Sequence, residues 1–198
     1  VALTGLATSP LTLQVLPAGR SFGRRLDHYY VVHAIQIAAT MPGTPIKTTW
    51  SREEDMTHDY PRPLHMAVGR GAVGNGRVLA YDLDSISPSL ISSWFGRIFI
   101  VPPGPDTMLV WGAFDLPYAI PNYRVTGYAA PPMMPVRSWR SPGACSNTLF
   151  PESFLSELIH PARADPPEER LRLIPDSAAP RVLAARGQGL NRAAPAPR

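Results

Sequence analysis

One cysteine, Cys145, and one lysine, Lys47, are all that this 198-residue chain holds of either type. A single thiol excludes an intramolecular disulfide, and it excludes a zinc or iron–sulfur centre held by cysteines of this chain. A nucleophilic cysteine needs a base beside it, and the sequence places none. Cys145 is therefore expected to be a small buried residue in a tight loop. No run of about 18 or more apolar residues occurs, so no membrane span is expected. With lysine almost missing, arginine carries the positive charge; the net charge is +4 and the isoelectric point 9.6. The arginines are scattered, with no aromatic-interleaved basic run and no zinc spacing, so nucleic acid is not an expected partner. The opening run Val1-Ala2-Leu3-Thr4-Gly5 lacks the charged and apolar regions of a signal peptide and reads like the interior of a longer chain. Any export signal would lie upstream of it, so the compartment is left open.

What is plentiful is proline and glycine, 24 and 15 residues, and they cluster. That composition predicts a loop-rich α+β chain without long smooth helices, thinning after residue 173 into a tail of Ala, Pro, Arg and Gly over 174–198. Leu11, Leu13 and Val15 alternate with polar residues, which predicts a half-buried strand running into a glycine-bearing loop at Ser21-Phe22-Gly23. Val31, Ala34, Ile35 and Ala38 then make a helical stripe that ends before Pro42-Gly43. Residues 46–50 read as a second strand. Ser51-Arg52-Glu53-Glu54 is a capping-box pattern that should start a short helical turn through Met56. His58, Asp59 and His65 invite a metal assignment, but their spacing fits no standard ligand pattern, and no metal site is expected.

Gly69-Arg70-Gly71-Ala72-Val73-Gly74 matches the dinucleotide fingerprint literally, in the wrong context. It runs into Asn75-Gly76, a hairpin turn signal, and then into alternating residues, so a two-stranded ribbon is expected and no nucleotide site. Residues 85–105 read as a long aromatic and proline-rich loop. Residues 115–122 read as a rigid connector leading into an extended stretch at Tyr123, Val125 and Gly127. Residues 135–159 place a loop of small residues before an amphipathic helix. Phe150, Phe154, Leu155, Leu158 and Ile159 form its apolar stripe, Glu152, Ser156 and Glu157 its wet side, and Ser146 or Asn147 its cap. Free backbone N–H groups at such a start suit an anion, and Arg137 and Arg140 add positive charge there. A further capped helix is expected from Asp165-Pro166, with Leu171 and Leu173 on its apolar side.

In order along the chain, Ser21-Phe22-Gly23-Arg24-Arg25 resembles a G-G-G-F-G-R-R loop and Trp50-Ser51-Arg52-Glu53-Glu54-Asp55-Met56 a W-[ST]-R-E-[DE]-D-M segment. Asp115-Leu116-Pro117-Tyr118-Ala119-Ile120-Pro121-Asn122 resembles D-L-P-Y-x-I-P-N, and Trp139-Arg140-Ser141-Pro142-Gly143 resembles W-R-[SA]-x-G ahead of an N-x-x-x-x-E-S-F helix. These are motifs of the molybdenum hydroxylases, the xanthine dehydrogenase and aldehyde oxidase family. They fit best the large molybdopterin-binding subunit of its bacterial isoquinoline oxidoreductase and aldehyde dehydrogenase type. The resemblance covers residues 1–173 and implies a partial molybdopterin-binding domain, with a mixed sheet, packed helices and long proline-rich loops.

It also implies roles. Phe22, Gly23, Arg140 and Gly143 would contact a molybdenum–molybdopterin cofactor, in the cytosine dinucleotide form. Iron–sulfur clusters would sit on a small partner subunit, and the substrate would be an N-heteroaromatic ring or an aldehyde. The family's catalytic glutamate lies in a distant C-terminal segment with no counterpart here, so no catalytic residue is assigned, and the isolated chain is expected to be an inactive fragment. The alternative is a truncated, non-catalytic remnant that keeps the fold as a binding module. Arg20 and Ser21 stand where the family has glycine, and Pro151 falls inside the family's helix.

Overall fold

The computed structural model describes residues 21–98, 101 and 103–175, with isolated positions 5, 14, 17 and 19. The strand expected over 11–15 and the tail from residue 176 lie outside the described residues. The chain is α+β. Helix α1 (Tyr29–Thr40) and the short α2 (Arg52–Thr57) precede strands β1 (Met66–Gly74) and β2 (Arg77–Pro88). A π-helical turn (Ile91–Phe95), α3 (Gly96–Ile98) and a 3-10 turn (Thr107–Leu109) lead to β3 (Asn122–Ala130). Helices α4 (Ala144–Ala162) and α5 (Pro166–Leu173) follow.

The three strands make one mixed sheet in the order β1-β2-β3. β1 and β2 pair antiparallel across Asn75-Gly76, whose φ angles of 52° and 71° are the left-handed pair that a tight hairpin turn demands. β2 and β3 pair parallel, from Ala80 opposite Asn122 to Pro88 opposite Ala130. The fingerprint glycines have a packing role. A Cβ on Gly69 would come within 2.7 Å of the Phe154 ring, and one on Gly71 within 2.6 Å of Leu158, so both leave room for α4 against the sheet.

The expected stripe of α4 is the one that docks. Leu155, Leu158 and Ile159 are buried and join Val78, Tyr81, Leu83, Ala113, Ile120 and Leu173 in the core. Pro151 does not end the helix; its ring is among the fully buried side chains, and that burial offsets the backbone bond it cannot make. α5 closes the core from below. Asp165 caps it by accepting from the Glu168 N–H at 3.0 Å. The buried Glu169 carboxylate accepts from the Val78 N–H at 3.0 Å and so satisfies the start of β2.

Several expectations are corrected. Residues 46–50 form no strand, because no neighbouring strand among the described residues offers them a ladder. The span expected to be a loop after residue 85 instead continues β2 to Pro88 and then turns helical. Ser146 and Asn147 do not cap α4: Gly143, at φ 71°, turns the chain early enough that both fall inside the helix. Asn147 is fully buried there, donating to the Leu109 carbonyl and accepting from the Ser85 hydroxyl, each at 2.9 Å. Glu152 is half-buried and not on a wet face, since Tyr118 and Arg170 both bind its carboxylate. Cys145 is exposed, on the first turn of α4. No helix of the described residues is long and apolar enough to cross a membrane.

Candidate cofactor site

The turn at Phe22 and the loop before α4 are more than a hundred positions apart and lie against each other. The Arg140 N–H donates to the Phe22 carbonyl at 2.8 Å. Gly23 sits at φ 94°, and a Cβ there would strike the Ser138 carbonyl and come within 2.9 Å of Trp139 Cα. Its missing side chain is thus used up in contact between the two loops. Gly143 is similar: a Cβ would strike the Met108 carbonyl, so this glycine seats the start of α4 on the 3-10 turn. Phe22 itself adopts φ 49°, a costly backbone for a bulky residue, and its ring is 52% exposed.

Charge divides into two kinds beneath and above this contact. Arg137, expected to face an anion, is instead fully buried and spent on protein groups. Its Nη1 lies 2.6 Å from Asp59 and its Nη2 3.1 Å from Asp27, with Nη2 also donating to the carbonyls of Gly23, at 3.0 Å, and Arg24. Arg24 pairs with Asp55 at 2.9 Å and Asp59 at 3.6 Å, and Arg97 stands 4.0 Å from Asp27. The acids and guanidinium groups below the site neutralise each other. Arg140 and Arg62 are different. Both are exposed and, among the described residues, neither is paired with a carboxylate; Arg62 donates to the Arg140 carbonyl at 3.0 Å.

Aromatic rings frame the same region. Trp139 Nε1 donates to the Tyr60 carbonyl at 3.0 Å, the Arg97 guanidinium lies 4.2 Å from the Tyr60 ring, and the Tyr29 and Tyr60 hydroxyls share a 2.8 Å hydrogen bond. That bond, followed by burial, raises the Tyr29 pKa above its ordinary value. His58, Asp59 and His65, where no metal site was expected, have other neighbours. The His58 ring packs tilted against Trp50 with centroids 4.9 Å apart, Asp59 serves Arg137, and burial lowers the pKa of His65, which flanks a small cavity of about 10 Å³ beside Arg137, Trp139 and Gly143. No group of three or more metal-ligating side chains occurs among the described residues.

The site therefore presents two unpaired arginines, an exposed phenylalanine and a tight loop contact, a donor set suited to a ligand with phosphate groups and a flat ring system. Residues 1–173 match the molybdopterin cofactor-binding domain. The chain belongs to that family. The domain also resembles the isoquinoline 1-oxidoreductase subunit beta of Brevundimonas diminuta, at 26% identity over 175 residues that cover 85% of this chain. It spans 22% of that relative's length. By its name, that relative is the beta subunit of an isoquinoline oxidoreductase.

The four residues expected to contact a cofactor take two kinds of position. Phe22 and Arg140 stand at the exposed contact, whereas Gly23 and Gly143 act from behind, by letting the loops close. Asp27 and Asp59, which hold the contact from below, carry no sequence signal. They are single acids in loops, and only the fold brings them to one arginine.

Proposed function

We propose that residues 1–173 form a partial molybdopterin-binding domain, followed by a low-complexity tail over 174–198, in the large subunit of a molybdenum hydroxylase. The substrate of that enzyme is an N-heteroaromatic ring or an aldehyde. The observation that carries this reading is the 2.8 Å bond from the Arg140 backbone N–H to the Phe22 carbonyl, which joins the loop of an exposed arginine, unpaired among the described residues, to the turn of an exposed phenylalanine. Phe22 and Arg140 contact the cofactor directly, in its cytosine dinucleotide form; Gly23 and Gly143 shape the loops. When bound, the cofactor supplies the redox chemistry, and iron–sulfur clusters on a small partner subunit take the electrons. The domain's own work is to hold and orient it.

Turnover needs a general base, a contribution commonly worth about 10² to 10⁴ in rate. Several carboxylates among the described residues are engaged elsewhere. Glu54 lies 3.3 Å from His58, Glu152 is held by Tyr118 and Arg170, and Asp115 accepts from the Gly112 N–H at 3.0 Å. The base and the substrate-closing loops belong to the rest of the large subunit. The test is molybdenum and pterin quantification on the chain purified from a molybdopterin-producing host, with dye reduction measured on the same sample. Bound cofactor without substrate-dependent dye reduction is the expected result; turnover without further polypeptide overturns the division of labour. A chain that never takes up pterin favours the alternative, a remnant that keeps the fold for binding something else.

A further inference from the structure

We propose that Arg137, three residues before Arg140 and outside the Trp139–Gly143 motif, is the positioning residue that fixes the Phe22–Gly23 turn against Arg140. Its effect on the cofactor rests on the reading above; the tethering does not.

Arg137 is fully buried, yet it is not part of the apolar cluster formed by the sheet, α4 and α5. Each of its partners lies in a loop of the site. Nη2 reaches back to Gly23, Arg24 and Asp27, Nη1 reaches Asp59, the guanidinium lies 5.5 Å from the Trp139 ring, and its own N–H donates to the Pro61 carbonyl at 3.2 Å. One side chain thus joins three segments, none of whose contacting residues belongs to the apolar core cluster. The turn it holds needs such a hold, because Phe22 at φ 49° persists only where the surroundings over-determine it. Buried ion pairs stabilise poorly compared with apolar packing, so a guanidinium retained at full burial is better explained by the geometry it imposes. Lysine can replace it only in part: one ammonium cannot serve all the acids and carbonyls that the planar fork reaches.

The experiment is hydrogen exchange on the purified chain and its variants. In Arg137→Met, exchange at the bonded amides of Arg24, Leu26 and Arg140 is expected to rise roughly tenfold or more, while the β1–β2 ladder keeps its wild-type rates. Arg137→Lys should recover part of that protection, and bound molybdenum per chain should fall in the same order of variants. Unchanged exchange at those amides overturns the proposal, as does an equal acceleration in the ladder, which would make Arg137 a general folding residue. Should Arg137→Met fail to fold, Asp27→Asn removes one anchor and must give the same local pattern at smaller size, or the tether is refuted. Wild-type chain without molybdenum sinks the cofactor reading, and the exchange pattern then decides the tether alone.

Discussion

The half of the molecule built from the sheet, α4 and α5 is held by apolar packing, whereas the half that carries the candidate site is held by charge. Between residues 21 and 65 the only buried residues are Arg24 and Asp27. α1 buries nothing. In the other half Tyr81, Leu83, Leu155, Ile159 and Leu173 are each at or below 1% exposed. Apolar packing is non-directional and tolerates substitutions of similar volume; a guanidinium fork is directional and does not. The division therefore suits a domain whose core must only exist, while its loops must hold particular atoms in place.

The contrast can be broken or sharpened by substitution. Leu155→Ala should cost about 2–5 kcal/mol and lower the midpoint of global unfolding by denaturant, because the cavity opens under the whole sheet. Asp27→Ala leaves Arg137 buried with one fewer partner, a loss of about 3–5 kcal/mol if the charge stays buried. It should appear as local loosening, with faster exchange in residues 22–27 and an intact sheet; a purely global effect would erase the distinction drawn here. Gly71→Ala should cost about 1–3 kcal/mol by pushing on Leu158, with no change in any ligand binding.

The halves should also respond to opposite ends of the pH scale. Burial, helped by the hydrogen bond to Glu152, pushes the Tyr118 phenol from 10.0 up to about 12. The stability this reflects is complete below pH 10.0 and is lost as pH rises through about 12, which loosens the packed half. Burial lowers the His65 pKa, so its share is complete above the ordinary 6.5 and is lost as pH falls below that, which loosens the site half. Exchange measured region by region across pH separates the two. Smallest in stability is Arg140→Ala, expected to change it by less than about 0.5 kcal/mol while removing bound molybdenum. A large loss of stability would show that Arg140 belongs to the scaffold.

The packed half was legible in the sequence because its signals are periodic or local. The stripe ending at Leu158 and Ile159, the Asn75-Gly76 turn and the cap at Asp165 all appear where spacing placed them. The Phe22 and Arg140 loops were legible only through their resemblance to a family. Nothing in the residues themselves says that a turn near one end meets a loop over a hundred positions later. The errors share one cause. Whether Arg137 is spent on protein or free for a ligand depends on Asp27 and Asp59 arriving from elsewhere, and whether residues 46–50 form a strand depends on a neighbour. Both are facts of tertiary structure to which local pattern is blind.

The parallel pairing of β2 with β3 also sets a schedule for folding. The β1–β2 hairpin closes across two residues, an event of about 1–10 μs in isolated hairpins. β3 must instead be brought to β2 across a long crossover, since cross-strand partners such as Asp82 and Arg124 are 42 positions apart. Loop-closure entropy is lost before any ladder bond repays it, so this step is expected to limit the rate. During that interval β2 offers one unpaired edge to any other strand. A chain emerging from the ribosome has its hairpin complete while residues 122–130 are still being made, and that is the stage at which self-association competes most strongly with folding.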